Sequence, residues 1–553
     1  MITGLLFRDS IISAANNISN SRQAVDALNV FPVPDGDTGT NMSMTITAAA
    51  KEMAALDDNC TVEEASAKCA SALLRGARGN SGVILSLIFR GFSKGFRGLT
   101  SAGAKDLANA FKDGVDAAYK AVMKPTEGTI LTVIRKASEA AQKSAETQDN
   151  PFEVGLAALT AAKEALAKTP ELLPVLKKAG VVDAGGQGLV LIFEGIESVW
   201  RNGVIVQPLD GSGVNPVSMP SKATVAAASD DIEFGYCSEF LIEKSSDAKE
   251  KDPLKLRAYL ESIGDCVVVV DDSSIIKVHV HSNCPGNVIQ AGLKYGQLIN
   301  IKIDNMRYQH ANADVGVKEG EKVVEPEITK PENEYGFVAV CAGEGLEELF
   351  GDIGADTIVS GGQTMNPSTD DILNAIMKTP AKVVFVLLNN KNIIMAAEQA
   401  APLAKDRDVR VLPTKTIPQG ISAMLMFDET ASADENQMNM LSAAENVETA
   451  QVTFAARDSE VDGKPIKQGE IMGLCNGKIK YIGDDITDIA VKAAHKLFKK
   501  GEHSLITIIY GEGASEDDAE AVEKALYEKY GSDVEISIVN GGQPIYYFII
   551  SVE

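Results

Sequence analysis

Residues 29–42 constrain the fold of this chain more than any other stretch, because they combine two prolines with an Asp-Gly-Asp triplet. Pro32 and Pro34 are incompatible with a regular helix, so the triplet lies on a loop before the Ala-, Met- and Thr-rich residues of a predicted helix. Asp35 and Asp37 are then carboxylates beside a helix N-terminus, a setting that suits Mg²⁺ and a phosphate group. An acidic turn that caps the helix accounts for the stretch equally well.

Two further turns of small residues precede apolar runs. Residues 75–82 read Arg-Gly-Ala-Arg-Gly-Asn-Ser-Gly, and residues 182–188 read Val-Asp-Ala-Gly-Gly-Gln-Gly. Glycines let backbone N–H groups approach phosphate oxygens, and Ser81 can donate another hydrogen bond. The first turn matches neither a Walker loop nor a GxGxxG fingerprint. Either turn alone is compatible with an ordinary helix connection, but three such loops before predicted helices favour a phosphate site.

Hydrophobic spacing and loop composition predict three domains in the 553 residues. Residues 1–204 have helical spacing and hold the phosphate-site loops. A Pro-, Gly- and Ser-rich linker follows over 205–230. Residues 231–314 form a middle domain, and a charged second linker covers 315–334. Residues 335–553 alternate apolar strands with helices and form an α/β domain.

The middle domain has the predicted order βαββαβ, which is the ferredoxin-like split βαβ unit. Its first and third strands are neighbours in that topology. Cys237 lies on the first strand, and His279 and His281 alternate along the third. One cysteine with two histidines is a zinc donor set, so we predict a structural zinc site. The alternative is a solvated strand face beside a separately buried cysteine.

Net charge and cysteine content indicate which partners are unfavourable and in which compartment the protein works. The net charge is −25, which disfavours binding to nucleic acid or to an anionic membrane surface. We find no long apolar segment for membrane insertion and no signal peptide at the N-terminus. The seven cysteines form no CxxC pair, which favours a reducing compartment. We therefore expect a cytoplasmic protein.

Residues up to about 204 resemble the nucleotide-binding L domain of bacterial dihydroxyacetone kinases. The variant at 29–42, together with Gly-Ala-Arg-Gly-Asn-Ser-Gly-Val-Ile-Leu-Ser at 76–86, resembles the ATP-binding subunit of bacterial fatty acid kinases. The resemblance continues at 121–132, 360–369 and 541–546 and covers the whole chain. It implies a multidomain α plus α/β fold, with an antiparallel helical barrel, the ferredoxin-like middle domain and a C-terminal DegV-like domain.

The same resemblance implies an ATP-dependent kinase subunit. The acceptor is the carboxylate of a fatty acid presented by a separate DegV-like carrier protein, and the product is an acyl phosphate for phospholipid synthesis. It further implies two Mg²⁺ ions, the structural Zn²⁺ and a homodimer. Asp35 and Asp37 would hold Mg²⁺ and carry catalysis. The expected contacts to the nucleotide are Asn29, Thr38, Gly39, Thr40, Asn41, Arg78, Ser81, Gly82, Thr129, Asp183 and Gly185.

Two departures from the dihydroxyacetone kinase pattern argue against dihydroxyacetone as substrate. The third metal aspartate upstream of the triplet is missing, and Asn29 stands nearest to its place. The family's arginine aligns with Gly128, so charge on the transferred phosphate is expected to be met by Arg78 or by the carrier. Two alternatives remain: a kinase for a soluble alcohol that needs no carrier, and a non-catalytic nucleotide- or lipid-binding regulator.

Overall fold

The computed structural model describes residues 1–29, 36–122, 125–209, 236–244, 253–271, 275–305, 329–362, 365–455, 458–461, 464–531 and 534–553. The chain divides into two units. One unit joins Met1–Val217 with Pro326–Glu553, and the other is Ser218–Glu325.

Up to residue 209 the described chain is mainly helical. Apolar side chains at helical spacing pack into one core, which includes the fully buried Ile12, Ile46 and Leu73. Local chemistry sets the helix starts; Thr61, for example, forms a capping box with Glu64. The helices are α1 (Gly4–Asn20), α2 (Arg22–Asp26), α3 (Thr38–Ala54), α4 (Val62–Arg75), α5 (Gly79–Gly95), α6 (Ala104–Ala121), α7 (Ile130–Ser144), α8 (Pro151–Ala167), α9 (Thr169–Leu172), α10 (Pro174–Ala179) and α11 (Ala184–Asn202). A short antiparallel pair, β1 (Ile2–Thr3) and β2 (Ser101–Ala102), accompanies them.

The middle unit is a four-stranded antiparallel sheet with two helices. Its elements are β3 (Tyr236–Lys244), α12 (Pro253–Ile263), β4 (Gly264–Asp271), β5 (Ile275–Ser282), α13 (Pro285–Leu293) and β6 (Gly296–Asn305). The strand order β4-β5-β3-β6 is that of the split βαβ unit, and β3 and β5 are neighbours as predicted. Phe240, Ile242, Val278 and Val280 alternate along these two strands and form the core.

The C-terminal region contains a four-stranded parallel sheet and a six-stranded mixed sheet. Both faces of the parallel sheet are covered. Val338 and Val384 face one apolar core, whereas Phe337 and Phe385 face another. That double burial explains the unbroken apolar run at residues 383–388.

The strands of this region are β7 (Asn333–Cys341), β8 (Thr357–Ser360), β9 (Ala381–Leu387), β10 (Asp408–Leu412), β11 (Glu448–Phe454), β12 (Ser459–Val461), β13 (Lys464–Ile466), β14 (Ile471–Cys475), β15 (Lys478–Gly483), β16 (Leu505–Tyr510), β17 (Glu535–Asn540) and β18 (Phe548–Val552). Its helices are α14 (Glu344–Asp352), α15 (Thr369–Lys378), α16 (Ile394–Ala400), α17 (Ile417–Leu425), α18 (Ala433–Asn446), α19 (Ile486–Leu497) and α20 (Glu516–Tyr530). The parallel sheet has the order β10-β9-β7-β8, and the mixed sheet has the order β15-β14-β11-β18-β16-β17. The predicted class, a helical N-terminal part with α/β parts after it, is confirmed.

The helical and C-terminal regions share an apolar core. Ala77, just before α5, and Val83 and Leu87 within it pack in the same cluster as Val338 and Ile372. This contact fixes the C-terminal region against α5 and the turn that precedes it.

The predicted boundaries of domains and linkers stay a prediction. Residues 205–209, at the start of the predicted first linker, hydrogen-bond to α1, since Val206 N donates to Ser13 Oγ and Leu209 N donates to Asn20 Oδ1. Within the described residues, no helix combines the length and the apolarity needed to cross a bilayer.

Candidate nucleotide and metal site

The N-termini of α3, α5, α7 and α11 meet at one end of the helical domain. A methyl group on Gly188, in the second turn of α11, would lie 2.6 Å from Met42 Sδ in the second turn of α3. One on Gly79 would lie 2.6 Å from Asn41 Nδ2, which joins α5 to α3. The backbone N–H of Ile130, the first residue of α7, binds the Asp183 carboxylate before α11. Contacts therefore link these helix ends in pairs, α5 with α3, α3 with α11 and α11 with α7, and positive helix ends of this kind favour an anion.

Asp37 is the residue before α3, yet its carboxylate accepts no capping hydrogen bond. Asp26 caps that helix end instead, because its carboxylate accepts from Thr40 N at 3.0 Å and from Thr40 Oγ1 at 2.8 Å. The predicted acidic capping turn is thus built by a different aspartate. Asp35 lies outside the described residues.

Asp26 places a carboxylate at the start of α3 and lies three residues upstream of Asn29 in the sequence. Sequence reasoning missed it because an acid at the end of the short α2 looks like any surface residue. Asn29, which the sequence places nearest to the missing metal ligand, donates from Nδ2 to Thr38 Oγ1 at 3.3 Å. Both residues thereby hold the beginning of α3 in place.

The turn before α5 is locked onto α3 by Thr45. Its hydroxyl donates to Asn41 O at 2.6 Å and accepts from Arg78 N at 3.1 Å. Gly79 has a φ of +57°, a left-handed conformation that glycine adopts without strain. Gly82 stands so close to α3 that a methyl group there would lie 2.4 Å from Thr45 Oγ1. The predicted residues Gly39, Thr40, Asn41, Arg78, Ser81 and Gly82 thus belong to two adjoining helix starts.

Thr129 begins α7 as its N-cap, accepting from Leu131 N. Glu127, just before it, accepts from Thr132 Oγ1 at 2.7 Å and from Arg135 Nη2 at 2.6 Å. The Thr132 hydroxyl and then the Arg135 guanidinium hold the pKa of Glu127 below its usual value. Arg135 is therefore engaged with a carboxylate beside the site.

Gly128 stands where the dihydroxyacetone kinase pattern has an arginine, and the structure explains why no arginine fits here. This residue has a φ of +85°, and a Cβ there would lie 2.9 Å from Leu173 Cβ. Any L side chain at this position is both strained and crowded. An arginine with this backbone is excluded.

Asp183 bridges two helix starts. Its carboxylate accepts from Gly186 N at 2.7 Å and from the backbone of Ile130, and its own N–H donates to Thr169 Oγ1 at 3.1 Å. Burial raises the pKa of Asp183 to about 6, because the two backbone donors only partly offset the loss of water. Gly185 lies beside it, and a methyl group there would be 3.3 Å from Ile130 Cβ. The structure therefore brings together three of the predicted nucleotide contacts, Thr129, Asp183 and Gly185.

The C-terminal region adds residues that sequence reasoning did not place here. Asn366 Nδ2 donates to Asp37 Oδ2 at 2.6 Å, and Arg78 Nη1 donates to Asn366 O at 2.7 Å. Arg78 Nη2 lies 3.3 Å from Asp371 Oδ2. Arg78 thus contacts the C-terminal region, and its role as a nucleotide contact stays a prediction. In the sequence, the stretch 360–369 stands out only as a motif shared with a family.

In the middle unit, strand register pairs Cys237 with His281 and Glu239 with His279. The side chains at 237, 279 and 281 lie outside what the structure describes. Elsewhere in the described chain, no three His, Cys, Asp or Glu side chains are grouped to hold a metal ion. The zinc site therefore stays a prediction.

The residues at the helical end fit a magnesium–nucleotide group. The Asp37 carboxylate does not cap α3, the start of α5 has no side-chain cap, and Gly79 and Gly82 lie where side chains would collide with the neighbouring helix. Mg²⁺ is a hard cation that prefers oxygen ligands, and the Asp37 carboxylate would supply such oxygens.

Three family models match the chain: the DAK2 domain over residues 32–198, the FakA-like middle domain of fatty acid kinase over 233–313, and the FakA-like C-terminal domain of fatty acid kinase over 336–553. Protein YloV of Bacillus subtilis is 43% identical over 100% of this chain and 99% of its own length. The chain belongs to the FakA-like family of fatty acid kinase proteins. The family resemblance expected from the loops is thereby confirmed, and with it the kinase-type class.

Solved structures resemble parts of this family member. Dihydroxyacetone kinase from C. freundii, in complex with AMP-PNP and Mg²⁺, is 22% identical, with a TM-score of 0.27, and covers 35% of this chain and 33% of that one. The fatty acid binding DegV family protein SAG1342 from Streptococcus agalactiae is 13% identical, also with a TM-score of 0.27, and covers 40% of this chain and 98% of its own.

Proposed function

We propose that this chain is the ATP-dependent kinase subunit that phosphorylates the carboxylate of a fatty acid. The observation that carries the proposal is the placement of Asp37 at the start of α3, where its carboxylate does not cap the helix and accepts a hydrogen bond from Asn366, in a chain of the FakA-like family. Asp35 and Asp37 would hold Mg²⁺. The glycine-opened turns before α5 and α11 would receive the phosphates.

The proposed step is transfer of the γ-phosphoryl group of ATP. A carboxylate oxygen of the fatty acid attacks the γ-phosphorus while the bond from that phosphorus to the ADP oxygen breaks, which gives an acyl phosphate and ADP. The acceptor is ionised at pH 7, so the site needs no general base. Bound Mg²⁺ would supply charge neutralisation, and the chain's own residues position the reactants.

The negative charge of the chain supports delivery of the fatty acid by a separate carrier protein. Its net charge of −25 opposes collection of fatty acid from an anionic bilayer. We propose that a separate DegV-like fatty-acid-binding protein delivers the acyl chain. The acyl phosphate would then enter phospholipid synthesis, and we propose a cytoplasmic homodimer as the working form.

The test compares acceptors with the full chain at saturating ATP and Mg²⁺. Radiolabelled γ-phosphate should be transferred to carrier-bound fatty acid and not to free fatty acid or dihydroxyacetone. Turnover of free fatty acid at the carrier-bound rate would overturn the carrier requirement. Preferred phosphorylation of dihydroxyacetone would make the chain a small-molecule kinase. Nucleotide binding without any transfer would favour the regulator alternative.

We further propose that Cys237, His279 and His281 bind a structural zinc ion. The pairing of positions 237 and 281 supports this, because residues at opposed register positions lie on one face of a sheet. Position 279 is two residues from 281 and shares that face. The metal's role would be structural, since no contact between it and the nucleotide loops is required.

A further inference from the structure

The segment 365–371, which leads into α15, lies directly on the loops of the nucleotide site. Thr369 N donates to Ala77 O at 3.0 Å, and Ser368 forms an antiparallel bridge with Arg78. Arg78 also holds the segment through Asn366 O and the Asp371 carboxylate. Backbone and side-chain contacts thus fix the same short segment.

The contact is buried and supported by apolar packing. Asn366 is 3% exposed and Thr369 is fully buried. Ala77 and Val83, next to the turn before α5, belong to one core with Ile372 of α15. The position of Asn366 is therefore set by packed elements on both sides rather than by a single surface hydrogen bond.

Chemistry fixes the orientation of the Asn366 amide. Its neighbour at 2.6 Å is the Oδ2 atom of Asp37, which accepts hydrogen bonds when it is ionised. The NH₂ group of Asn366 must therefore face Asp37, and a hydrogen bond to a charged acceptor is among the stronger kinds. A carboxylate has about four acceptor positions, so a hydrogen bond from Asn366 is compatible with a metal ion on the same group.

We propose that Asn366 is a positioning residue for Asp37, so that the C-terminal region completes the magnesium–nucleotide site of the helical domain. This inference rests on the proposed function and deepens it. Asn366 holds one oxygen of Asp37 and thereby directs the carboxylate toward the metal. The C-terminal region is then part of the phosphoryl-transfer site in addition to any role in carrier docking.

The test measures ATP binding to the full chain by calorimetry over a series of Mg²⁺ concentrations. Asn366→Ala and Asn366→Ser both remove the amide donor, and each should raise the Mg²⁺ concentration for half-maximal ATP binding about tenfold. ATP affinity without Mg²⁺ should stay unchanged. Met365→Ala is the matched control, because Met365 is adjacent and 52% exposed.

A second readout separates positioning from docking. The KM for the carrier-bound fatty acid should stay at the wild-type value in both Asn366 variants when Mg²⁺ is saturating. A raised carrier KM with an unchanged Mg²⁺ requirement would make Asn366 a docking residue and overturn the inference. An unchanged Mg²⁺ requirement in both variants would also overturn it. A wild-type chain whose ATP binding ignores Mg²⁺ would instead overturn the proposed function, and the inference with it.

Discussion

Replacing Asp183 with asparagine tests the electrostatics at the start of α11. Asparagine has nearly the same shape and can still accept from Gly186 N, but it does not titrate. Burial raises the folded-state pKa of Asp183 from the ordinary 3.8 to about 6. The folded state therefore binds this proton more tightly than the unfolded state does. Wild-type stability must then fall as pH rises from about 4 to about 6 and must stay lowered above that.

The magnitude follows from the two pKa values. The full penalty for the ionised group is about 3 kcal/mol, which is roughly two pKa units at about 1.4 kcal/mol each. Because the sequence pI is about 4.7, measurement should begin at pH 5, where part of the penalty is already present. Between pH 5 and pH 8 the stability of Asp183→Asn relative to wild type should rise by about 1.4 kcal/mol.

The assay is urea unfolding followed by the fluorescence of Trp200, which is the chain's single tryptophan and lies in α11. Other titrating groups are common to both proteins and cancel in the difference. Asp116→Asn, the same substitution at an exposed position on α6, is the matched control. A flat difference for Asp183→Asn would refute the reasoning. A difference that falls with pH would mean that the backbone donors outweigh burial and that the pKa is depressed.

Four other outcomes are expected. Asp35→Asn or Asp37→Asn should abolish Mg²⁺-dependent phosphoryl transfer, while the circular dichroism spectrum stays that of the wild type. Near-normal turnover of both variants would contradict the assignment of Asp35 and Asp37 as magnesium ligands. Gly128→Ala should destabilise the helical domain by about 2 kcal/mol more than Gly180→Ala, because both glycines have positive φ but only Gly128 is crowded; equal midpoints of urea unfolding would argue against the Leu173 contact. Asp26→Ala should cost about 1 kcal/mol in the same assay through loss of the cap on α3, and an unchanged midpoint would show that Asp26 is not the cap. Protein purified without chelator should carry about one zinc per chain by elemental analysis, and His279→Ala should lose it; zinc-free wild type would refute the site.

Local features of the site could be predicted from the sequence. The helix starts after Asp37 and Asp183 follow from turn residues next to apolar periodicity, and both are found where expected. The first strand of the middle unit is predicted to carry Cys237, and the strand observed at Tyr236–Lys244 contains that residue. The topology rule correctly makes it a neighbour of the strand that carries His279. These features depend on near neighbours in the chain, so one sequence contains their signal.

Tertiary features could not be predicted. Asn366 is 329 residues from Asp37 in sequence, and no local pattern links an asparagine before a Pro-Ser turn to a distant carboxylate. Asp26 lies at the end of α2 and caps α3, so its role depends on how these two helices pack. The strain at Gly128 arises from Leu173, which a pattern of small residues does not reveal. In each case the deciding contact joins elements that meet only in the folded protein.

Trapping the reaction product tests the central claim most directly. An acyl phosphate reacts with hydroxylamine to give a hydroxamate, whereas a phosphorylated alcohol does not. The full chain, incubated with ATP, Mg²⁺, hydroxylamine and carrier-bound fatty acid, should form fatty hydroxamate in proportion to ADP, and Asp37→Asn should form none. Production of ADP without hydroxamate, or hydroxamate formation by Asp37→Asn at the wild-type rate, would contradict the assignment of this chain as a fatty acid kinase acting through Asp37.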